Sequence, residues 1–296
     1  MTSESSSMEK SLLARIKRFV ERPWQGKVER VRKRWLEAFP RIPFPMRLSF
    51  GAWWLARNDH VSRPIIEKQF ETAEYSFVRR FVQPGMTVLD IGAHHGFYTL
   101  LLSRVTGSRG MVFSFEPSPR ERKALLRHVS LNRCKNVKVQ PLALGAEKKE
   151  AELYVVEGGE TGCNSLRPPV VISGTSRVRV SVMRLDDWIS EQKLERVHFI
   201  KLDVEGGELE VLRGAVSLLD HRPRPIILAE VQDMRTEQWG YRARDVISYL
   251  SAKGFRWFRL SEDGSLEDLD LAPETFDGNF VAWPEELEMT FPGVGV

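Results

Sequence analysis

The chain has 296 residues, 42% of them apolar and 28% charged, an ordinary composition for a soluble globular protein. That length suits one large domain with an appendage, and no apolar run approaches the ~20 residues that a membrane-spanning helix needs. Two cysteines, Cys134 and Cys163, show neither metal-site spacing nor a disulfide framework. The opening MTSESSSMEK lacks a basic segment followed by an apolar one, so a cytoplasmic, reducing location is expected and a secretory leader is not. The net charge of +4 hides an asymmetry. Residues 9–41 hold eleven basic and four acidic side chains, a net of +7, so the rest sums to −3.

Residues 1–64 read as a basic, amphipathic helical extension and linker. Leu12, Leu13, Ile16, Phe19 and Val20 recur at helical spacing; after Pro23, Val28, Val31, Trp35, Leu36 and Phe39 do the same. The PRIPFP stretch at 40–45 excludes a helix or a central strand, and the aromatic Phe50, Trp53 and Trp54 need cover. From residue 65 strand and helix signals alternate. A helix is expected over 66–81, ended by Gln83-Pro84-Gly85, then strands at 87–91, 111–115 and 137–142 with helices at 96–105 and 120–131. Strand-like 151–155 and 178–185 flank a Gly/Pro/Ser-rich loop. Order resumes with strand 199–204, helix 208–219, strand 226–231 and helix 243–253; strands 255–260 and 280–283 close the series. Residues 285–296 read as a tail. Repeated β-α-β units predict a doubly wound α/β domain over 65–284, with a mostly parallel seven-stranded sheet.

The sharpest motif is V88LDIGAHHG96, an apolar strand closing on Asp90 and turning through Gly92 and Gly96 into a helix. Glycine there lets a ligand lie against the backbone and permits positive φ. The G-x-x-x-G spacing departs from the G-x-G-x-x-G of dinucleotide enzymes, which disfavours a nicotinamide dehydrogenase. It suits an amino-acid and nucleoside ligand, held outside the strands' carboxyl ends where strand order reverses. Glu116 ends the next strand, where an acid accepts from both ribose hydroxyls.

These residues, with F115EP117, A143LG145, G162CNSL166, R184LDDW188 and F199IKLDVEGGELEVLRG214, resemble the FkbM-type family of class I S-adenosylmethionine-dependent methyltransferases over about residues 65–283. The resemblance implies a Rossmann-like fold, S-adenosyl-L-methionine as cofactor, and O-methylation of a hydroxyl on a sugar, glycolipid or other small-molecule acceptor. N- or C-methylation and a non-catalytic cofactor-binding module are the alternatives. It places Asp90, Gly92, Ala93, His94, Gly96, Glu116, Pro117 and Asp203 around the cofactor, with Leu142 and Ala143 beside the adenine. His94 departs from the family pattern, which often has Asn there.

Lys201, Asp203 and Glu205 alternate at period two, so a regular strand points all three to one side. With Glu230, which ends the following strand, they are the candidate catalytic residues. The competing reading makes Lys201–Asp203 a structural pair and Glu205 the cap of a helix opening at Gly206. Asp203, Glu205 and Glu230 have the oxygens a hard cation wants, but nothing in the spacing demands one, and no metal is assigned. His94 and His95, as neighbours, are expected to point apart. Asn164 and Ser165 sit in a loop able to fold over the site or serve as a plain turn; Glu71 reaches the cofactor or is a solvated helix charge. Asp186 and Asp187 are expected to cap the helix at Trp188. The basic extension is read first as packing on the domain or a second copy, and next as peripheral contact with a membrane surface. No recognition motif favours nucleic acid.

Overall fold

In a computed structural model of the protein, residues 24–39, 42–171 and 174–289 are described. The first amphipathic stretch, 12–20, lies outside them. Contacts divide the chain into two units, Met1–Met46 with Trp54–Phe70 and Arg47–Trp53 with Glu71–Val296.

In the first unit, helix α1 (Trp24–Ala38) buries Leu36. The Pro-rich stretch runs into β1 (Phe44–Arg47), which joins β2 (Trp53–Ala56) in a two-stranded sheet, an edge setting that tolerates Pro45. Trp54 is wholly buried, and its indole N–H reaches Ser62 Oγ at 3.4 Å. Asp59 accepts the Ser62 N–H at 2.6 Å and so opens α2 (Ser62–Glu67). The single helix expected over 66–81 is broken. Lys68 and Glu71 both have positive φ, +57° and +41°, which stops α2 before α3 (Thr72–Phe81) starts.

The second unit is built on runs of apolar residues that form buried strands. In chain order they are β3 (Thr87–Ile91), α4 (Phe97–Thr106), β4 (Met111–Phe115), α5 (Pro119–Leu131), β5 (Val137–Gln140) and β6 (Ala143–Leu144). Then come β7 (Lys149–Val156), β8 (Thr175–Met183), α6 (Leu185–Gln192), β9 (Phe199–Leu202), α7 (Glu208–Arg213), α8 (Val216–Asp220) and β10 (Ile226–Gln232). The series ends with α9 (Asp233–Thr236), α10 (Ala243–Ser251), β11 (Phe255–Leu260), β12 (Leu266–Asp268) and β13 (Asp277–Pro284).

The main sheet has the order β12-β11-β13-β10-β9-β3-β4-β5, with β10, β9, β3, β4 and β5 mutually parallel and β13 antiparallel to β10. It is a mostly parallel α/β sheet with flanking helices, as expected. It carries eight strands where seven were expected, because the short, largely exposed β12 pairs with β11 in a meander whose polar residues gave no apolar signal. Strand order reverses between β3 and β9, and the crevice outside their carboxyl ends is where such folds place ligands. Leu89, Ile91, Phe113, Phe115, Ile200, Leu202, Ile227 and Ala229 of the four central strands belong to one buried core.

A second sheet, β6-β8-β7, stands beside the first. Its β7–β8 hairpin carries the 157–174 loop. The helix expected over 208–219 is two helices, interrupted at Gly214, where a Cβ would lie 2.1 Å from the Gly145 carbonyl oxygen. Asp186 caps the second of these and not its own helix: its oxygens accept the Ser217 and Leu218 N–H groups at 2.8 and 3.0 Å.

Candidate active site

The loop after β3 is shaped by its neighbours. Asp90 is buried and accepts the Thr99 hydroxyl at 2.5 Å; Thr99 Oγ1 lies 2.9 Å from Ser114 Oγ. Burial raises the Asp90 carboxyl to about 6, against the Thr99 bond and Lys201. Gly92 has φ +85°, and a Cβ there would stand 1.6 Å from the Asp203 carbonyl oxygen. The backbone after β9 thus packs directly on this glycine. Gly96, φ +91°, opens α4 with Leu125 packed where a side chain would go. The Gly92 and Ala93 N–H groups both donate to the Phe115 carbonyl, at 3.1 and 3.0 Å.

Glu116, at the end of β4, is held by backbone donors. His94 N–H donates to one oxygen at 2.7 Å and Ser118 N–H to the other at 2.8 Å. Burial pushes its carboxyl up to about 8, with Glu121 adding to the rise. Arg122 donates to the Glu116 and Pro117 carbonyls, at 2.8 Å each, and so fixes the turn. The His94 and His95 rings do not point apart. They stack with centroids 3.8 Å apart, because His94 takes φ +48°. His94 Nε2 lies 3.1 Å from Thr161 Oγ1 of the 157–174 loop. Ala143 is buried in β6, and Leu142 just before it packs on the core.

The second half of the site lies at the ends of β9 and β10. Lys201, paired in register with Asp90, is 1% exposed and reaches Asp203 Oδ2 at 3.2 Å and Asn279 Oδ1 at 3.3 Å. Burial works to lower its pKa, but Asp203, Glu71 and Glu230 outweigh that and the net shift is upward. Strand geometry ends at Leu202, and Glu205 has φ +56°, so the regular alternation fails. The carboxylates of Asp203, Glu205 and Glu230 nevertheless converge, with their nearest oxygens all within 4.8 Å of one another. Glu205 pairs with Arg235 Nε at 3.0 Å, while Glu230 Oε2 is buried without a hydrogen-bond partner among the described residues. Burial raises both of these carboxyls, and Asp203 beside them adds to the rise.

Glu205 does not cap the next helix. Glu208, the first residue of α7, instead braces the turn before it: its Oε1 accepts the Val204 and Gly206 N–H groups at 2.9 and 3.3 Å. Other side chains complete the site, and of these Tyr98, Glu74, Asn279 and Trp239 carried no signal in the sequence. Glu71, more than a solvated helix charge, accepts the Tyr98 hydroxyl, and burial raises it to about 7. Glu74 accepts from Asn279 Nδ2 at 3.0 Å, which holds Asn279 against Lys201. Ser165 Oγ donates to the Glu205 carbonyl at 3.0 Å and Trp239 Nε1 to the same oxygen at 3.3 Å, so the hairpin loop closes on the site. Asn164 instead accepts the Val156 N–H at 2.8 Å and shapes the loop itself. A groove lined by Pro168, Pro169, Val170, Met234 and Gln238 opens beside Glu205 and Arg235.

The chain is similar to several known proteins. Methyltransferase 1 of Beauveria bassiana (strain ARSEF 2860) is 30% identical over 143 residues, 43% of this chain and 57% of that protein. The AMB antimetabolite synthetase AmbE of Pseudomonas aeruginosa is 27% identical over 240 residues, 70% of this chain and 11% of its own length. The chain thus spans little more than half of the first relative and a small part of the second. The crystal structure of methyltransferase FkbM from Methylobacillus flagellatus KT aligns at 19% identity and TM-score 0.42, covering 67% of this chain and 44% of that one. The model of the methyltransferase FkbM domain matches residues 90–257, more than half of the sequence, and the chain belongs to that family.

Proposed function

We propose that the chain is an S-adenosylmethionine-dependent methyltransferase acting on a hydroxyl of a sugar, glycolipid or other small-molecule acceptor. The observation that carries this reading is the convergence of Asp203, Glu205 and Glu230 at the crevice where strand order reverses. Glu71, Asp90, Asp203, Glu205 and Glu230 are met there by two cations, Lys201 and Arg235. A cofactor bearing a sulfonium and an ammonium offsets that excess of acid, and Glu116 keeps a second lone pair on each oxygen for two ribose hydroxyls.

When bound, S-adenosylmethionine supplies a methyl group already activated by its sulfonium leaving group. The chain's part is to align the acceptor behind that methyl and to manage one proton. In this account Gly92, Ala93, His94 and Gly96 form the wall of the cofactor site through their backbone. Pro117, Leu142 and Ala143 border the adenine, and Asp90 and Asp203 face the methionine end. Lys201 positions Asp203. Asp203 or Glu205 accepts the acceptor hydroxyl proton, and Glu230 orients the acceptor oxygen.

The test is release of S-adenosylhomocysteine across a panel of glycoside, lipid-linked and amine acceptors. Asp203→Asn is expected to lower kcat by ~100-fold or more, the range for loss of a positioned proton acceptor, a larger effect than the accompanying rise in cofactor Kd. Turnover equal to wild type in that variant contradicts the role. Turnover confined to amines favours N-methylation, for which the carboxylate cluster is equally suited.

A further inference from the structure

Four large apolar side chains are exposed within twelve residues: Val31 at 55%, Trp35 at 37%, Phe39 at 46% and Ile42 at 52%. Val31, Trp35 and Phe39 follow one another four residues apart and so share one side of α1 and its C-terminal exit. Trp35 ties the patch together, with its ring 4.8 Å from Phe39 and its indole N–H donating to the Ile42 carbonyl at 3.3 Å. Leu36 faces inward, so the helix has already spent its packing side elsewhere.

Basic residues border the patch. Arg30 and Arg34 each precede a stripe residue and run as a parallel row on the helix, and Arg34 is exposed. Arg32 lies on the other flank, its guanidinium over Phe44 at 5.9 Å. Lys33 is engaged with Glu67. An apolar stripe of Trp, Phe and Ile with arginines along its edge matches a helix lying in a lipid headgroup layer, rings at the acyl boundary and guanidinium groups at the phosphates. Charge separates this occupant from the others. A second copy would set one arginine row against another, whereas an anionic lipid surface complements it. We propose that the Val31–Trp35–Phe39–Ile42 patch docks the protein on an anionic lipid surface.

Sedimentation of the full chain with phosphatidylcholine vesicles, with and without phosphatidylglycerol, tests this at low and high salt. The chain should pellet with the anionic vesicles and be released by salt. A W35S/F39S/I42S variant should lose binding, and R30E/R34E should weaken it by about fivefold or more per reversed charge. Circular dichroism and gel filtration of both variants check that fold and size are unchanged. The proposal is overturned if the wild type ignores anionic vesicles, or if both variants bind as wild type does. It is also overturned if the wild type elutes as a dimer that W35S/F39S/I42S converts to a monomer without vesicle binding in either, or if the patch binds duplex nucleic acid and not vesicles.

Discussion

Gly92 shows how much of the site is set by single residues. Its φ of +85° already disfavours a side chain, and the Asp203 carbonyl oxygen stands 1.6 Å from where a Cβ would go. Gly92→Ala must therefore push apart the two loops that bear Asp90 and Asp203. The expected cost is more than ~2 kcal/mol in a denaturant melt, the range for strain compounded by a backbone clash. A variant as stable as wild type would mean that the loops do not meet as described. The sequence motif pointed to this glycine for a different reason, close approach of a ligand. A pattern of residue types marks where a Cβ is forbidden; it does not say which neighbour forbids it. The same holds for Glu205 and Glu208: both are acids beside a Gly-Gly turn, and only the fold shows that Glu208 braces that turn through the Val204 and Gly206 N–H groups.

Among the elements, the long apolar runs were legible because burial on both faces of a parallel sheet leaves a continuous signal. Strands β3, β4, β9 and β10 appear close to where they were expected. Elements defined by polar or conformational events were not legible. The break between α2 and α3 rests on Lys68 and Glu71 taking positive φ, and β12 pairs through Leu266, Glu267 and Asp268 with little apolar content. The segment read as a tail after 284 is also partly tied down. Arg224, 4% exposed, donates its backbone N–H and its Nε to Glu286 Oε1 at 3.0 Å each. Its guanidinium also reaches the Gly254 carbonyl at 3.1 Å. Glu286→Ala leaves this buried charge unpaired and is expected to destabilise the domain by ~3–5 kcal/mol. Calorimetric unfolding checks it, and a loss below ~1 kcal/mol would show that water takes over the pairing.

At the scale of the whole molecule, the crevice collects carboxyl groups that burial holds away from their ordinary ionisation. Asp90 is raised from 3.8 to about 6, Glu71 and Glu208 from 4.5 to about 7, and Glu116 from 4.5 to about 8. A raised acid binds its proton more tightly in the folded chain than in the unfolded one. Its contribution to stability is complete below the unfolded pKa and is lost as pH rises through the folded value. The chain without cofactor should therefore show a falling Tm from about pH 5 to about pH 8, read by scanning calorimetry. A Tm that rises across that window would mean these carboxyls are better solvated, or better paired, than the geometry gives them. A cationic cofactor, by stabilising the ionised forms, should restore most of the loss at the upper end.

That coupling makes cofactor binding the decisive observation. Calorimetric titration of the folded chain with S-adenosylmethionine at pH 8, beside a titration with NADH, tests whether the crevice is a cofactor site. Saturable heat at micromolar concentration is expected with the former and none with the latter. In Glu116→Ala the Kd should rise about 10- to 100-fold, the loss expected for hydrogen bonds to a charged acceptor. No heat with S-adenosylmethionine, or binding indifferent to Glu116, would contradict the assignment of the crevice between β3 and β9 as the cofactor site.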